Sequence, residues 1–445
     1  MYIKLSSFLV VGLKRSGYSI TKVLLERKAE VYVYDSSSEE YVEKNKIELQ
    51  KLNAKITVDP IETLNYVDVL VLSPGVPIDS EISITARKLN KRIIGEMELA
   101  SYLINAPIVA ITGTNGKTTV CSILSHVLNS SNEDNVLVGN IGTPLSSKIN
   151  EINENTLVIT EVSSFQLETT SRFCPHIACI LNITPDHLDR HYNMQNYIFL
   201  KGKLLSNLKE SEFAVLNYDN ESVRVLSNNT RANVVWFSKN KKIDGAYLEN
   251  GEIFFNDEQI FSVNEINLLG IHNVENVLAC VAVLKLLGIT NEEIKLGVST
   301  FTGVKHRIQH VKTVGGVDFY NDSKSTNPDA TIKAVNSMQS PTVLIMGGYE
   351  KGLDYGEVMK AVSTSPNIEN LILTGKSANK MYETAVKNNV KRVNVVSDFN
   401  ATVKLAYALS KNGGAVLFSP ATSSFDKFSN YEERGDRFIE AVNEL

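Results

Sequence analysis

Short apolar runs alternate with amphipathic stretches along the whole chain, and most apolar runs end in glycine or polar residues. In the first block, runs at residues 8–11, 30–34 and 67–73 predict strands, and a helix is expected from about Ser19. Continuous apolar strands between helices are typical of a parallel sheet covered on both faces. We expect a break near residues 91–95, before a helix in the sequence GEMELASYLI.

The second and third blocks repeat this alternation. In the second block, Asn250-Gly251 predicts a hairpin turn, and a helix is expected after His272 that stops at Gly288. The other predicted strands lie at residues 107–112, 157–161, 177–182, 213–217, 234–237, 317–320, 342–346, 371–374 and 415–418. In the third block every strand is followed by a polar or glycine segment, and in open parallel sheets this is the end where ligands bind.

Composition narrows the class of protein. A chain of 445 residues suggests about three domains, and we expect them at residues 1–93, 94–301 and 302–445. Hydrophobic residues make up 43% and charged residues 21%, which excludes wholesale disorder. The net charge of −5 argues against a nucleic-acid coat or a polybasic membrane binder. With no signal peptide and no apolar run near the roughly 20 residues of a membrane span, we expect a cytoplasmic protein.

Cysteine usage agrees with a reducing compartment. Cys121, Cys174, Cys179 and Cys280 form no CxxC pair and no disulfide framework. We expect these residues to be buried thiols.

The sharpest motif is a glycine-rich loop between an apolar strand and the helix VCSILSHVL. The glycines would let backbone N–H groups converge on phosphate oxygens, Lys117 would neutralise the β- and γ-phosphates, and Thr118 would offer a hydroxyl to Mg²⁺. Ile111 stands where the Walker pattern has glycine, so this is a variant loop. An ordinary strand-to-helix turn would not need a lysine followed by two threonines. The loop predicts a nucleoside triphosphate site and comprises Gly113, Thr114, Asn115, Gly116, Lys117, Thr118 and Thr119.

A second glycine loop, GLKRSG at residues 12–17, keeps two glycines of the dinucleotide fingerprint but has Lys14 at the middle position. The middle glycine normally lets the backbone approach a pyrophosphate, so the loop argues against a standard NAD or FAD site and disfavours a dehydrogenase. Asp35 ends the next strand, where a ribose partner would lie. A nucleotide diphosphate bound less deeply and a simple tight turn both stay open.

Acidic and imidazole groups follow two strands of the second block. Glu161 ends one strand, and Asp186 and His187 follow another. Carboxylate oxygens suit Mg²⁺, with His187 as an additional nitrogen ligand, whereas the glutamate of a zinc HExxH helix is missing. From the residues alone, Lys201 in YIFLKGKLL is expected to be a surface charge.

Other loops carry amide, basic and hydroxyl groups. Asn273 and Asn276 share one helix face, where they would read an adenine edge or cap the helix. In the third block, His306-Arg307 and the segments at 321–328, 347–352 and 419–426 gather cations and hydroxyls at strand ends. Helix capping would explain any one of these segments but not all of them, so we predict an anion site on this face.

Taken together, the motifs resemble the Mur ligase family, ATP-dependent enzymes that join amino acids to a cell-wall precursor. The motifs shared with the family are GTNGKTT, EVSSFQLE, DHLDRH, GIHNVENVLA and HRI, and NDSKSTNPDAT, SPATSSFDKF and YEERGDRF resemble its D-glutamate-adding branch. The resemblance covers nearly the whole chain. It implies an α/β fold of three domains: a Rossmann-like N-terminal domain for the UDP substrate, a central P-loop ATPase domain, and a Rossmann-like C-terminal domain for the amino acid.

The implied reaction adds D-glutamate to UDP-N-acetylmuramoyl-L-alanine through an acyl phosphate, at the expense of ATP, in peptidoglycan precursor synthesis. The resemblance implies two Mg²⁺ ions, and a monomer that binds these small molecules but neither nucleic acid nor the membrane interior. A scaffold that binds nucleotide without ligating is the alternative, and the intact Lys117, Glu161 and His187 argue against it.

Roles for individual residues also follow from the resemblance, by motif. Lys117, His187 and Lys201 would be catalytic, with Lys201 carbamylated. The metal ligands would be Thr118, Glu161, His187 and Lys201. ATP would contact the glycine-rich loop and Asn273, Asn276, Arg307, Asp322 and Lys324. D-glutamate would contact Thr326, Lys351, Ser424 and Tyr431, and the UDP substrate Ser16, Asp35, Ser36 and Asn140. The loops GLKRSG, GGYEKG and SPATSS depart from the family pattern.

Overall fold

The protein is described here by a computed structural model that covers residue 3 and residues 6–140, 142–268, 272–350 and 352–445, with the backbone alone for Asp189 and His272. The chain forms two compact units. The first contains Met1–Ile266 and His272–Thr300, and the second consists mostly of Phe301–Leu445. The first unit contains two sheets and the second contains one, and most of the strand pairs in them are parallel.

The first sheet lies in the first unit and follows the predicted alternation. Its strands are β1 (Ser7–Val11), β2 (Glu30–Tyr34), β3 (Lys55–Ile56), β4 (Val69–Leu72) and β5 (Arg92–Gly95). Its helices are α1 (Arg15–Glu26), α2 (Glu40–Lys51), α3 (Pro60–Thr63), α4 (Glu81–Lys88) and α5 (Glu96–Ser101). The strand order is β3-β2-β1-β4-β5, and every pairing is parallel. The predicted parallel sheet is confirmed.

One local prediction in this block was wrong. Helix α1 begins at Arg15 rather than near Ser19, directly after Lys14, whose backbone is extended. The segment at residues 91–95, where a break was expected, also contains an edge strand that was not predicted, β5, in which Ile93 and Ile94 pair with Leu70 and Val71. Backbone pairing to a buried neighbour decides a strand of this kind, and a basic segment of sequence does not reveal it.

The second sheet also lies in the first unit. Its strands are β6 (Ile108–Thr112), β7 (Asn135–Gly139), β8 (Leu157–Glu161), β9 (Ile177–Ile180), β10 (Phe213–Asn217), β11 (Asn233–Ser238), β12 (Gly245–Glu249), β13 (Glu252–Phe255) and β14 (Glu258–Ser262). The order is β14-β13-β12-β11-β10-β9-β6-β8-β7, parallel from β7 to β12 and antiparallel beyond. The hairpin predicted at Asn250-Gly251 is confirmed, because Glu249 lies opposite Glu252.

Helices of the second sheet surround its strands, and three short 3₁₀ helices (Leu145–Glu151, Ser227–Asn229 and Val263–Glu265) complete the described structure. The α-helices are α6 (Lys117–Ser130), α7 (Ser164–Glu168), α8 (Leu188–His191), α9 (Met194–Gly202), α10 (Glu221–Leu226), α11 (His272–Leu286) and α12 (Asn291–Thr300). One cluster of buried apolar side chains extends from Phe8 in β1 to Ala178 in β9, so the two sheets share a core. Cys121, Cys179 and Cys280 are buried and Cys174 is half-buried, all as free thiols, and Cys174 packs against this cluster.

The third sheet forms the second unit. Its strands are β15 (Gln309–Val314), β16 (Val317–Asn321), β17 (Thr342–Gly347), β18 (Ile368–Thr374), β19 (Val393–Val395) and β20 (Ala415–Phe418). Its helices are α13 (Pro328–Ser337), α14 (Gly356–Thr364), α15 (Ala378–Lys387), α16 (Phe399–Leu409) and α17 (Tyr431–Asn443). The order is β15-β16-β20-β17-β18-β19, and only the pairing of β15 with β16 is antiparallel among these strands. In the part of the chain described above, no helix is both long and apolar enough to span a membrane.

Two buried carboxylates of α5 join the first sheet to the second. Glu98 has a fully buried side chain, and it accepts hydrogen bonds from the Ser171 N–H, the Ser171 hydroxyl (3.0 Å) and the Arg172 N–H (3.2 Å). Glu96 accepts a bond of 2.7 Å from the Ser146 N–H, and burial raises the pKa of Glu96. The two sheets are therefore held together by polar contacts as well as by their shared core.

We expect Glu98→Ala to lower the free energy of unfolding of the first unit by about 2 kcal/mol, because the donors on Ser171 and Arg172 lose their acceptor and a cavity remains. Urea unfolding followed by the fluorescence of Trp236, the single tryptophan of the chain, measures the change. The exposed Glu154 provides the control, since Glu154→Ala should change the free energy of unfolding by no more than about 0.5 kcal/mol. Equal midpoints for the two variants would contradict the bridging role of Glu98.

Candidate active site

The glycine-rich loop connects β6 to α6 and is held by the segment after β9. Asn182 makes three bonds to it: its carbonyl accepts from the Thr114 N–H (2.8 Å), its side-chain oxygen accepts from the Asn115 N–H (2.9 Å), and its amide donates to the Asn115 carbonyl (3.1 Å). The loop thus stands preformed at the N-terminus of α6, where helix N–H groups and the helix dipole favour an anion.

Gly116 in this loop is required by its neighbour. Its φ is +88°, and a Cβ there would lie 2.3 Å from the side-chain oxygen of Asn276. Asn276 in turn donates to the side-chain oxygen of Asn273 at 3.0 Å, and both are buried. Asn276 therefore packs against the phosphate loop and is hydrogen-bonded to Asn273. Gly270 and Ile271, at the start of the same motif, are outside the described residues.

The cation and the hydroxyl predicted for the loop lie at its helical end. The Lys117 ammonium donates to the carbonyls of Gly113 (2.8 Å) and Thr114 (3.0 Å). The Thr118 hydroxyl donates to one oxygen of Glu161 at 2.8 Å. The Thr119 side chain is buried. A hydroxyl paired with a carboxylate beside a phosphate loop is an oxygen donor set of the type that Mg²⁺ prefers.

Glu161 itself is 3% exposed, and its second oxygen accepts from the Asn140 amide at 2.8 Å. The resemblance implied that Asn140 would contact the UDP substrate. In the structure its side-chain amide donates to the carboxylate of Glu161, at the carboxyl end of β8.

Lys201 is not the surface charge that its residue type alone predicts. It is 1% exposed, donates to the Gly113 carbonyl at 2.8 Å, and its ammonium lies 4.8 Å from the centre of the Tyr197 ring. Burial, and secondarily the nearby Lys117, lower the pKa of the amine well below its ordinary value, although Asp186 and Glu161 oppose this. The fold therefore makes the charged ammonium less favourable here than in water, at a position in contact with the phosphate loop.

His187 lies at the surface of the same region. Its φ is +52°, about half of its side chain is exposed, and its ring lies 4.9 Å from the Phe165 ring and 3.6 Å from an Asp186 oxygen. Among the residues that the structure describes, no three His, Cys, Asp or Glu side chains are grouped to hold a metal ion. A metal here would need ligands of other types, such as Thr118 or a modified Lys201, and the role of His187 stays a prediction.

Neighbouring groups that the sequence did not single out complete this region. The Tyr197 hydroxyl lies 3.2 Å from the Thr114 hydroxyl, and the ring of His191 stacks on Tyr197 with centres 5.3 Å apart. Burial lowers the pKa of His191. Tyr197 lies four residues before Lys201 on one helix face, a spacing that could have indicated its proximity.

The carboxylate of Asp35 binds the backbone of the first glycine loop, at residues 12–17. One oxygen of Asp35 accepts from the Leu13 N–H (2.6 Å) and the other from the Ser37 N–H (2.8 Å). Lys14, at the unusual middle position, extends outward to pair with Glu39 at 2.8 Å.

Of the two serines expected to contact the UDP substrate in this region, Ser16 is half-buried at the start of α1 and Ser36 is exposed. Asp35 and these serines share the carboxyl edge of the first sheet. The arrangement leaves a polar turn there.

The second unit brings its predicted anion-binding loops to the carboxyl edge of the third sheet. Asp322 is 1% exposed, and its oxygens accept from the Ser419 hydroxyl (2.6 Å) and the Ile308 N–H (3.2 Å). Burial raises the pKa of Asp322 to about 6, although these hydrogen bonds oppose the rise. The carboxyl group thus joins three segments of the unit at one point.

Other predicted residues lie around it. The Lys324 ammonium is 5.9 Å from the centre of the Tyr431 ring, although the resemblance implied different ligands for the two residues. Ser424 is buried, and Arg307 and Thr326 are half-buried. Lys351 lies outside the described residues.

A buried arginine that the sequence did not single out connects two of these loops. The Arg434 guanidinium donates to the Ser323 hydroxyl (3.0 Å), the Ser323 carbonyl (2.8 Å) and the Thr422 carbonyl (3.0 Å). Burial lowers its pKa to about 10. From the sequence alone, an arginine in the amphipathic helix YEERGDRF would be expected at the surface. Only the folded structure shows that it is buried.

Comparison with known proteins agrees with this architecture. The chain matches models of three protein domains: Mur ligase MurD-like N-terminal domain over residues 6–95, Mur ligase middle domain over 111–284, and Mur ligase glutamate ligase domain over 306–422. It is 43% identical over 454 residues to the UDP-N-acetylmuramoylalanine–D-glutamate ligase of Thermoanaerobacter sp. (strain X514), with both chains fully covered. It is 39% identical over 452 residues to the protein of that name from Clostridioides difficile (strain 630), again with full coverage of both.

Solved structures share the fold at lower identity. The UDP-N-acetylmuramate-alanine ligase MurC of Thermotoga maritima is similar, with a TM-score of 0.62 at 19% identity over 99% of both chains. MurF of Acinetobacter baumannii gives a TM-score of 0.60 at 16% identity over 85% of both chains.

We expect the stability of the second unit to fall as the pH rises from about 4 to about 6. The folded pKa of Asp322, about 6, lies above its ordinary 3.8, so the folded state retains a proton that the unfolded state has released. The stabilisation is complete below the unfolded pKa and is lost as the pH passes the folded one, at about 1.4 kcal/mol per unit of pKa difference. Subtracting the urea unfolding profile of Asp322→Asn from that of the wild type, by circular dichroism, isolates the effect.

The exposed Glu383 supplies the control, and Glu383→Gln should leave the pH profile unchanged. If Asp322→Asn shows the same slope between pH 4 and 6 as the wild type, the raised pKa of Asp322 is refuted.

Proposed function

Because the chain belongs to the Mur ligase family of ATP-dependent, amide-bond-forming ligases, we propose that it adds D-glutamate to UDP-N-acetylmuramoyl-L-alanine in peptidoglycan synthesis. The observation that carries this is the match of the whole chain to relatives named for that activity. The preformed phosphate loop, with Lys117 and Thr118 at the start of α6, supports the use of ATP. The same proposal includes a cytoplasmic monomer that serves cell shape and division.

The chemistry requires activation, since a free carboxylate is a poor acylating agent. A carboxylate oxygen of the L-alanyl group attacks the γ-phosphorus of ATP, the bond to the ADP oxygen breaks, and an acyl phosphate forms. The amine of D-glutamate then attacks the acyl carbon and loses a proton, and phosphate leaves. Charge accumulates on phosphoryl oxygens in the first step, so Lys117 and the backbone N–H groups of its loop would stabilise it.

Magnesium would neutralise the phosphate oxygens during phosphoryl transfer. The chain offers donors that fit it: the Thr118 hydroxyl and the Glu161 carboxylate, already 2.8 Å apart beside the loop. We propose these residues as ligands, with His187 and a modified Lys201 contributing to a second ion.

Lys201 is proposed to be carbamylated. Its burial disfavours the ammonium form, and a neutral amine is the form that attacks carbon dioxide, making an N–C bond and losing a proton. The product is an anion. An anion beside Lys117, the proposed metal ion and the phosphate loop would avoid the free-energy cost of burying a cation at this position.

The remaining roles are proposed by motif. Asn273 and Asn276 would bind ATP, with Asn276 already next to Gly116, and Arg307, Asp322 and Lys324 would also bind ATP. The serines 16 and 36, with Asp35 and Asn140, would bind the UDP substrate. Two carboxylates of D-glutamate need cations and hydroxyls, which Thr326, Lys351, Ser424 and Tyr431 would supply.

The substrate assignment predicts a selective amino-acid panel. With ATP, Mg²⁺ and UDP-N-acetylmuramoyl-L-alanine present, phosphate release should require D-glutamate and stay at background with L-lysine, diaminopimelate or L-alanine. Release supported by one of those and not by D-glutamate would show that the branch is wrong. ATP binding without turnover on any of them would favour the nucleotide-binding scaffold instead.

The carbamate predicts a loss that cannot be rescued. Lys201→Ala should reduce kcat by at least about a hundredfold, because the substituted side chain has no amine to modify and the metal loses a ligand. Added bicarbonate should not restore it, and Lys209→Ala, at an exposed lysine of the same domain, should behave as the wild type. Turnover of Lys201→Ala within threefold of the wild type would eliminate the carbamate.

A further inference from the structure

An arginine next to the predicted metal-binding loop is held in a two-pronged ion pair. In α8, the Nε of Arg190 donates to one oxygen of Glu168 at 3.1 Å and its Nη2 donates to the other at 2.6 Å. The Glu168 side chain is 5% exposed and that of Arg190 is 18% exposed. A planar guanidinium fits a carboxylate in this way with fixed orientation, which a lysine cannot reproduce.

The same guanidinium reaches the first sheet. Nη2 of Arg190 also donates to the carbonyl of Val76, at 3.2 Å, in the segment that follows β4. A second contact lies two residues further along the chain, where the Tyr192 hydroxyl bonds to the Asp79 carboxylate. Residues 186–192, which follow β9 of the second sheet, therefore make two side-chain contacts with residues 76–79, which follow β4 of the first sheet.

In the first sheet, hydrogen bonds connect Val76 to the loop where the UDP substrate is expected. Its N–H donates to the Ser73 carbonyl at 2.9 Å, and the Ser73 hydroxyl donates to the Gly12 carbonyl at 2.7 Å. Gly12 opens the loop that carries Ser16. The backbone of residues 73–76 is thus fixed to that loop.

In the second sheet, a series of side-chain contacts connects Glu168 to the phosphate loop. One of its oxygens lies 3.5 Å from Nδ1 of His191, whose ring stacks on Tyr197 at 5.3 Å. The Tyr197 hydroxyl lies 3.2 Å from the Thr114 hydroxyl. Contacts through the buried His191 and Tyr197 therefore connect Arg190 to the site expected for ATP.

The loop between these contacts has an unfavourable backbone. His187 and Tyr192 have φ values of +52° and +68°, and non-glycine residues of this kind in the left-handed region cost roughly 1 kcal/mol or more each. Surrounding contacts must hold such a conformation. The Arg190 guanidinium also lies 5.2 Å from the Phe165 ring, and that ring contacts His187 at 4.9 Å.

We propose that Arg190, held by Glu168, is a positioning residue that fixes the separation between the UDP-substrate loop and the phosphate loop. The proposal rests on the proposed function. In that reaction, the carboxylate of the UDP substrate must approach the γ-phosphate of ATP to bonding distance. A displacement of about 1 Å is enough to cost a hundredfold in rate, although each substrate alone still binds.

Arg190→Lys and Glu168→Gln test this, because each keeps a polar side chain of similar size and removes the two-pronged pair. Both should lower kcat by about ten- to a hundredfold. The Kd of each nucleotide substrate, measured separately by calorimetry, should stay within twofold. The double variant should be no slower than the worse single variant, since both remove one interaction.

A matched control is Arg224→Lys. Arg224 likewise donates to a backbone carbonyl, that of Tyr218 at 2.8 Å, and lies 5.3 Å from the Tyr218 ring, but in α10. It should retain wild-type kcat. If Arg190→Lys is not recovered folded, Tyr192→Phe, at a side chain that is 70% exposed, removes the second contact and should lower kcat at least threefold.

Hydrogen exchange gives a readout independent of turnover. In Arg190→Lys, amides of residues 74–80 and 186–192 should lose protection together. Wild-type kcat in both single variants, or faster exchange in only one of the two segments, would overturn the positioning role. Failure of the wild type to use D-glutamate would refute the proposed function instead, and the kcat ratios would then be measured with whichever amino acid it accepts.

Discussion

Burial of one amine, that of Lys201, constrains the arrangement of the whole second-sheet site. An ammonium at 1% exposure is costly, and the fold surrounds it with groups that reduce this cost. The Gly113 carbonyl accepts its hydrogen bond and the Tyr197 ring lies beneath it. These same groups belong to the phosphate loop or contact it. The position of the loop and the protonation state of the lysine are therefore coupled.

The loop is held from several directions, which explains how it is preformed. Asn182 fixes its backbone from β9, and Asn276 occupies the space that a side chain at position 116 would need. Glu161 arrives from β8 and receives the Thr118 hydroxyl. Asn182 follows β9, Glu161 ends β8 and Thr118 lies in the first turn of α6, so the geometry depends on parallel strands that end at one edge. An anion that binds there meets donors that need little reorganisation.

Most of the fold and part of the site could be predicted from the sequence. The alternation of apolar runs located the central strands of all three sheets, because a strand buried on both faces is apolar along its length. Edge strands were missed: β3 has two residues, β5 begins with a basic residue, and β15 alternates with charged side chains. Such strands are defined by pairing with a neighbour, and their own sequences say little about it.

Local sequence is enough to specify the phosphate loop, since Lys117 and Thr118 need only local chain geometry to stand at a helix N-terminus. It also determined the family, because the motifs occur in order along the chain. Tertiary structure alone decided which polar residues are buried. Lys201, Glu98, Arg190 and Arg434 each look like surface charges in their helices. The full burial of three of them and the partial burial of Arg190 depend on partners far away in the sequence, and a charge is retained inside a protein only where such partners converge on it.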